Sequence, residues 1–426
     1  MKNQWKLILS SFFCLAIVLV ISSTASNEQS LPTELEEGKW LPITENVKGT
    51  LTDVEGIPLL TLWGSNYEQG YAHGYLYAPE IMEYLEKQLQ SQEGTVEFIE
   101  GIVLPYLDRY TVPEEYLQEM EGFLAGMEAR AGGAVYVAAV DRNITLNDVI
   151  AWTCVDNPAH LLNQHCTSFS AWDTVTAGGT TLTGRNYDHP DDEINTGRYI
   201  FIIRKFPAES GSLSWISVAL PGSLNCETAM NSEGVTFATQ EVNLIRETSA
   251  TEGFCPEPLL QRRLLESTRA ASVVEDVSAV LQDLYTNGGE AILMSWPTGQ
   301  GACSAVFEMD GDLTTGHGLT VRQPETGYPY MIQTNQYYER LEPDASARYS
   351  LIKAHLDDIV SGDKPPLTVE EAWEILGKVP SSKDLLIQQA VIFEPDKMLM
   401  HVAFAEPGTH ATECRKVTLD ISKLLN

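Results

Sequence analysis

Basic residues are scarce in this chain. Lys and Arg number 27 against 59 Asp and Glu in 426 residues, a net charge of −32. Nucleic acids and anionic membrane surfaces are bound through basic patches, so this balance argues against both as partners. Long apolar runs are also missing. After residue 25 no stretch approaches the roughly 18 apolar residues of a membrane span. No Cys-x-x-Cys and no His-x-x-x-His occurs, which removes the usual structural zinc spacings. Neither an internal repeat nor a low-complexity tract is present. With 43% hydrophobic and 20% charged residues, the chain reads as an ordinary globular protein long enough for one large domain or two. No metal and no cofactor is expected.

One apolar run does exist, at the start. Lys2 and Lys6 precede an apolar core from Leu7 to Ile21, and Ser23-Thr24-Ala25 has the small residues of a cleavage site. That layout predicts a signal peptide over residues 1–25 and a secreted or periplasmic protein without a membrane anchor. Its removal takes two lysines and leaves a net charge of −34. Six cysteines remain: Cys154, Cys166, Cys226, Cys255, Cys303 and Cys414. Export permits pairing. If Cys166 is free, five are left, and at least one more has no partner.

Cys166 opens the stretch that carries the chemistry. Phe169, Ala171 and Val175 alternate behind it, as in a half-buried strand. Ala177-Gly178-Gly179 can reverse the chain, and Thr180 to Asn186 reads as the return strand. The hairpin brings Arg185 and Asp188 toward Cys166. A neighbouring guanidinium favours thiolate, the reactive form of cysteine. A cysteine in an exported chain is more often paired or simply packed, and Arg-Asn-Tyr-Asp alone is turn chemistry; their pairing across one hairpin favours a nucleophile.

Cys166-Thr167-Ser168-Phe169 followed by Gly184-Arg185-Asn186-Tyr187-Asp188 resembles the N-terminal-nucleophile hydrolases, in the branch of penicillin acyltransferases and bile-salt and penicillin V amidases. The resemblance runs from about Trp63 to about Pro407. It also takes in Tyr67 to Gly74, Asn231 to Gly234, Thr334-Asn335-Gln336 and Ser346-Ala347-Arg348-Tyr349. It implies a four-layer αββα sandwich of the α/β (α+β) class. It implies self-cleavage between His165 and Cys166, giving residues 26–165 as an N-terminal chain and 166–426 as the catalytic chain, which stay associated. It further implies an oxyanion donor at Asn335 and an electrostatic role for Arg348. Counted without gaps, the second oxyanion position falls on Glu241. Asn243 lies two residues on and on the same strand face, and is preferred because an ionised carboxylate cannot donate. His165 departs from the Gly that precedes the nucleophile in penicillin acyltransferase.

Along the rest of the chain, residues 26–60 read as a polar lead-in, and the segment to 165 as mostly helical. Trp63 to Gln90 carries an apolar stripe, with Gly70 and Gly74 one turn apart for close packing. His73 within it reads as a packed interfacial histidine. Pro113 opens a second helix ending at Gly132-Gly133. Asn143-Ile144-Thr145 is a glycosylation sequon, meaningful only in a eukaryotic host. Thr145 with Asp148 and Ser272 with Glu275 resemble capping boxes. From Cys166 onward, strand runs alternate with helix pairs.

The expected function is cleavage or transfer of an acyl group at a linear amide of a small N-acyl substrate, through a thioester on Cys166. The alternatives are a bile-salt or acyl-homoserine-lactone amidase, or a non-catalytic secreted protein braced by disulfides. The last requires every mature cysteine to be paired.

Overall fold

The computed structural model describes residues 40–91, 95–154, 166–190, 198–206, 211–242, 252–284, 286, 289–299, 301–310, 318–340, 343–381 and 385–425. Residues 40–426 form one compact unit, and the leader-like segment lies outside the described residues. So do His165 and Asn243. Among the described residues no helix is long and apolar enough to cross a membrane.

The chain begins with two strands that the sequence reading took for a lead-in. β1 (Gly49–Val54) and β2 (Ile57–Trp63) form an antiparallel hairpin. The first is mostly exposed and polar, so it lacks the alternation that betrays a strand. Helix α1 (Asn66–Ser91) and helix α2 (Glu114–Ala131) follow, with a two-stranded ribbon of β3 (Tyr136–Val137) and β4 (Arg142–Asn143), then α3 (Leu146–Cys154). Gly132 ends α2 in the left-handed conformation, the stop that the Gly pair suggested.

The expected hairpin forms: β5 (Thr167–Asp173) pairs antiparallel with β6 (Gly179–Pro190), and Gly178 and Gly179 both have positive φ. Next come β7 (Ile200–Lys205), β8 (Trp215–Ala219), β9 (Thr228–Asn231) and β10 (Thr236–Glu241). Helices α4 (Glu257–Ser267) and α5 (Val273–Asp283) lead to β11 (Glu290–Ser295), β12 (Ser304–Met309), β13 (Leu319–Arg322) and β14 (Tyr330–Gln333). Helices α6 (Ala347–Val360) and α7 (Val369–Lys378) precede β15 (Leu385–Glu394), β16 (Leu399–Phe404) and β17 (Lys416–Asp420).

These strands make a nine-stranded sheet, ordered β1-β2-β7-β8-β9-β10-β11-β12-β13, and a six-stranded sheet, ordered β14-β5-β6-β15-β16-β17. Phe201, Ile203 and Ile216 of the first pack against Val391, Phe393 and Val402 of the second. The large sheet's other face packs on α1, α2, α4 and α5 through residues such as Ile202, Phe237, Phe123 and Leu264. The small sheet's other face packs on α6 and α7 through Phe169, Ile392, Leu356 and Leu376. Strand periodicity sends alternate residues to the two cores: Phe201 inward and Ile202 outward, Val391 inward and Ile392 outward. The layers are therefore helix, sheet, sheet, helix.

The N-terminal segment is mainly helical and packs on the large sheet, as expected, and it also lends that sheet two strands. β2 adds parallel to β7, so residues before and after Cys166 share one sheet. Two local expectations fare differently. Thr145 and Asp148 do form a cap, with the Thr145 N–H and hydroxyl both donating to Asp148 Oδ2. Ser272 does not pair with Glu275; its hydroxyl donates to Asp276 Oδ2, which also accepts the Arg269 N–H.

Candidate active site

Cys166 stands just before β5 and is 1% exposed. Ser168 and Arg185 are opposite each other in the β5–β6 register, so both face the gap between the sheets. Arg185 spans that gap. Its Nη2 lies 3.8 Å from Cys166 Sγ and donates to the Thr239 carbonyl at 2.8 Å, and its Nη1 donates to Thr228 Oγ1. Ser168 is held by Gln240, whose Nε2 donates to Ser168 Oγ at 2.7 Å. β9 and β10 of the large sheet thus fix both strands of the hairpin beside the thiol.

Asp188 is buried, and its backbone N–H donates to the thiol. Burial pushes its carboxyl up to about 7 against the opposing pull of Arg348 and Arg185. Among the described residues its Oδ1 has no hydrogen-bond partner. Arg348, in the first turn of α6, reaches back with Nη1 to the Cys166 carbonyl at 2.7 Å, Thr167 Oγ1 at 3.1 Å and Asn335 Oδ1 at 3.2 Å. Asn335 Nδ2 donates to the Glu241 carbonyl at 2.8 Å. An amide nitrogen carries two N–H groups, so one remains for another acceptor. Cys166, Arg185, Asp188, Asn335 and Arg348 therefore meet at one place, as the sequence motifs implied.

Arg185 pulls the thiol down, as expected. Burial outweighs it, and the Cys166 thiol is pushed up to about 12. Glu241 was set aside because a carboxylate cannot donate. Burial, with the nearby charge of Glu227, pushes its carboxyl up to about 7, so it is a donor acid at and below neutrality.

Sequence reading missed Glu227, Thr228 and Thr239. Thr239 acts through its backbone carbonyl, which no side-chain pattern marks. Thr228 starts β9 and Glu227 precedes it, and only the strand's neighbours decide which way they point. His73 is packed, as expected: it is buried on Phe123 with Nδ1 3.5 Å from Arg204, and burial beside Arg204 and Arg262 holds it well below the ordinary histidine range.

Cys166, Cys226, Cys255, Cys303 and Cys414 are all free thiols. A disulfide-braced protein with every cysteine paired is therefore contradicted.

Beside the site lies an apolar cavity of about 170 Å³. Its walls come from both sides of Cys166 in sequence: Leu85, Val103, Ile144, Val149 and Trp152 before it, Tyr187, Leu220, Leu224 and Glu227 after it. The Tyr187 ring lies 5.3 Å from the Arg185 guanidinium carbon, which joins cavity and site.

No protein-family model matches the chain. An uncharacterised protein of Archaeoglobus fulgidus is 26% identical over 221 residues, covering 46% of this chain and 34% of that protein. The match thus spans about a third of the relative's length. Among solved structures, a Caenorhabditis elegans ortholog of N-acylethanolamine-hydrolyzing acid amidase aligns at 12% identity and a TM-score of 0.38, over 60% of this chain and 99% of that one. A variant of conjugated bile acid hydrolase from Clostridium perfringens aligns at 16% and 0.43, over 61% and 93%. Penicillin V acylase from Agrobacterium tumefaciens aligns at 13% and 0.35, over 57% and 84%.

Proposed function

We propose that this chain is an exported, self-processing cysteine hydrolase or acyltransferase acting on a linear amide of a small N-acyl substrate. The observation that carries the reading is the approach of Arg185 Nη2 to Cys166 Sγ at 3.8 Å inside a buried cluster with Asp188, Arg348 and Asn335. A packing cysteine has no need of a guanidinium that bridges two sheets to reach it. The apolar cavity beside the site supports an apolar acyl group.

In the uncut chain the Cys166 sulfur attacks the His165 carbonyl carbon. The C–S bond forms, the C–N bond breaks, and the nitrogen takes the thiol proton. Water then adds hydroxyl to the acyl carbon and returns hydrogen to sulfur. This step frees the α-amino group of Cys166. An α-amino group has a reference pKa of about 7.7–8.0, suited to accept the thiol proton near neutrality. Its arrival also changes the electrostatics. A thiol held up at about 12 by burial gains a base and a partner cation, and Asp188 Oδ1 gains a donor. Arg348, holding the Cys166 carbonyl, keeps the residue fixed while its amide bond is exchanged for an amine. A substrate amide then acylates the sulfur. Asn335 donates to the developing oxyanion, with either Glu241 as the neutral acid or Asn243 as the second donor. Water completes hydrolysis; an amine completes acyl transfer.

Intact-mass measurement on the purified protein tests the reading. Two associated fragments of about 140 and 261 residues are expected from wild type, and a single uncut, inactive chain from Cys166→Ala. Full amidase activity in an uncut chain overturns the N-terminal-amine mechanism.

A further inference from the structure

Glu227 is out of place twice over. It lines a cavity whose other walls are largely apolar, where a carboxylate is costly unless it has partners. Its charge also reaches Cys166 and raises the thiol, the wrong direction for a nucleophile. Its effect on the Cys166 thiol therefore does not explain its presence, and its charge on Glu241 uses none of its hydrogen-bonding capacity.

Its surroundings are built rather than incidental. Asn225 Nδ2 donates to Glu227 Oε1 at 2.9 Å. The Ser223 hydroxyl donates to Asn225 Oδ1, which fixes the amide with its nitrogen toward the carboxylate. The Thr239 N–H donates to the Glu227 carbonyl and holds the backbone at 3.1 Å. Burial pushes the Glu227 carboxyl up, opposed by the Arg185 guanidinium and the Asn225 hydrogen bond. A carboxylate offers about four acceptor positions and Asn225 takes one of them, so Glu227 can accept from a further donor. The other charged pair on the cavity wall, Arg142 with Asp148 at 2.7 Å, is already self-satisfied.

We propose that Glu227 is a specificity residue: it accepts a hydrogen bond from a hydroxyl or amino group borne by the substrate's acyl chain close to the scissile carbonyl. This rests on the amidase reading. A substrate with its carbonyl at Cys166 and its apolar chain in the cavity passes the carboxylate, because Glu227 lines the cavity and the next residue, Thr228, binds the same Arg185 guanidinium that lies 3.8 Å from the thiol. The carbons it meets are the first few after the carbonyl. A chain without a donor there covers the carboxylate with apolar surface and gives it no partner, which is the stronger source of discrimination.

Matched N-acyl amides test this: one apolar acyl chain plain, with a 2- or 3-hydroxyl, and with a 2- or 3-amino group. The readout is the ratio of kcat/KM for donor-bearing over plain substrate, measured on the mature protein, Glu227→Gln and Glu227→Ala. Wild type is expected to prefer a donor-bearing chain by about tenfold or more, the range for a hydrogen bond to a charged group. The ratio should fall toward one in Glu227→Ala, and in part in Glu227→Gln, which keeps an acceptor oxygen. Preference for the amino series alone marks recognition of a cation; preference for both marks a hydrogen-bond donor. A wild-type ratio near one for every pair, or a ratio that survives in Glu227→Ala, overturns the proposal. If thermal unfolding shows that Glu227→Ala does not fold, an unchanged ratio in Glu227→Gln overturns it. Cleavage of plain amides without preference defeats this inference alone. Cleavage of none of them by wild type defeats the amidase reading and this inference with it.

Discussion

Burial raises the Cys166 thiol to about 12 even though Arg185 Nη2 stands 3.8 Å away. Removing the guanidinium removes the group that most opposes that rise. Arg185→Ala should therefore move the limb of the pH–rate profile that reports thiol ionisation upward by at least about one unit. An unmoved limb would separate Arg185 from the thiol. Glu241 makes a second prediction of opposite sign. Its donor form is the protonated one, present below about 7, so if it serves the oxyanion, turnover falls as pH rises through that value. Glu241→Gln keeps a donor at every pH and should abolish this fall, whereas Glu241→Ala should cost about 10²–10³ in kcat. A silent Glu241→Ala with a damaging Asn243→Ala would return the role to Asn243. The residue types and order of Cys166, Arg185, Asp188, Asn335 and Arg348 were legible in the sequence. The state of Glu241 was not, because it depends on burial and on Glu227, fourteen positions away and brought near only by folding.

Among the elements, α1 and α2 meet more closely than ordinary helices. A Cβ on Gly74 would stand 2.1 Å from the Phe123 carbonyl oxygen, and one on Gly70 would stand 2.0 Å from that of Glu119. Gly122 and Gly126 of α2 face Tyr67 and Tyr71 of α1 in the same way. Backbone cannot yield as a side-chain tip can, so Gly74→Ala should destabilise the protein by roughly 3 kcal/mol through overpacking. Gly133→Ala, with open space around its Cβ, is the control and should be near neutral in urea denaturation. The Gly70–Gly74 spacing announced close packing from the sequence. Its partner was not announced, since helix pairing is settled by the sheet beneath. The hairpin of β5 and β6 was legible because alternation and a Gly-Gly turn are local signals. β1 was not, because an exposed edge strand carries no buried face to read.

At the scale of the molecule, the stretches on either side of Cys166 are interlocked. β2 pairs with β7, and Glu119 of α2 bridges Arg204 and Arg262 at 2.6 Å each, all three fully buried. Removing that one carboxylate charge takes the ion-pair partner from buried Arg204 and leaves Arg262 with Glu266 alone. Glu119→Gln should lower stability by about 3–5 kcal/mol, and should release the two proposed fragments from each other at lower urea than wild type. Unchanged fragment association would show that the sheet and apolar core alone hold them.

Locally coded features came from the sequence by itself. It determined the acidic balance, the strand periods, the Gly-Gly reversal and the position of Cys166 ahead of its hairpin, because each depends on neighbours within a few residues. Only the tertiary structure decided which atoms surround the thiol. Arg185 reaches the Thr239 carbonyl 54 positions away, and Arg348 reaches the Cys166 carbonyl across 182. Burial sets the ionisation of Asp188, Glu241 and Cys166 itself, and burial is a property of the packed layers, not of any stretch of chain.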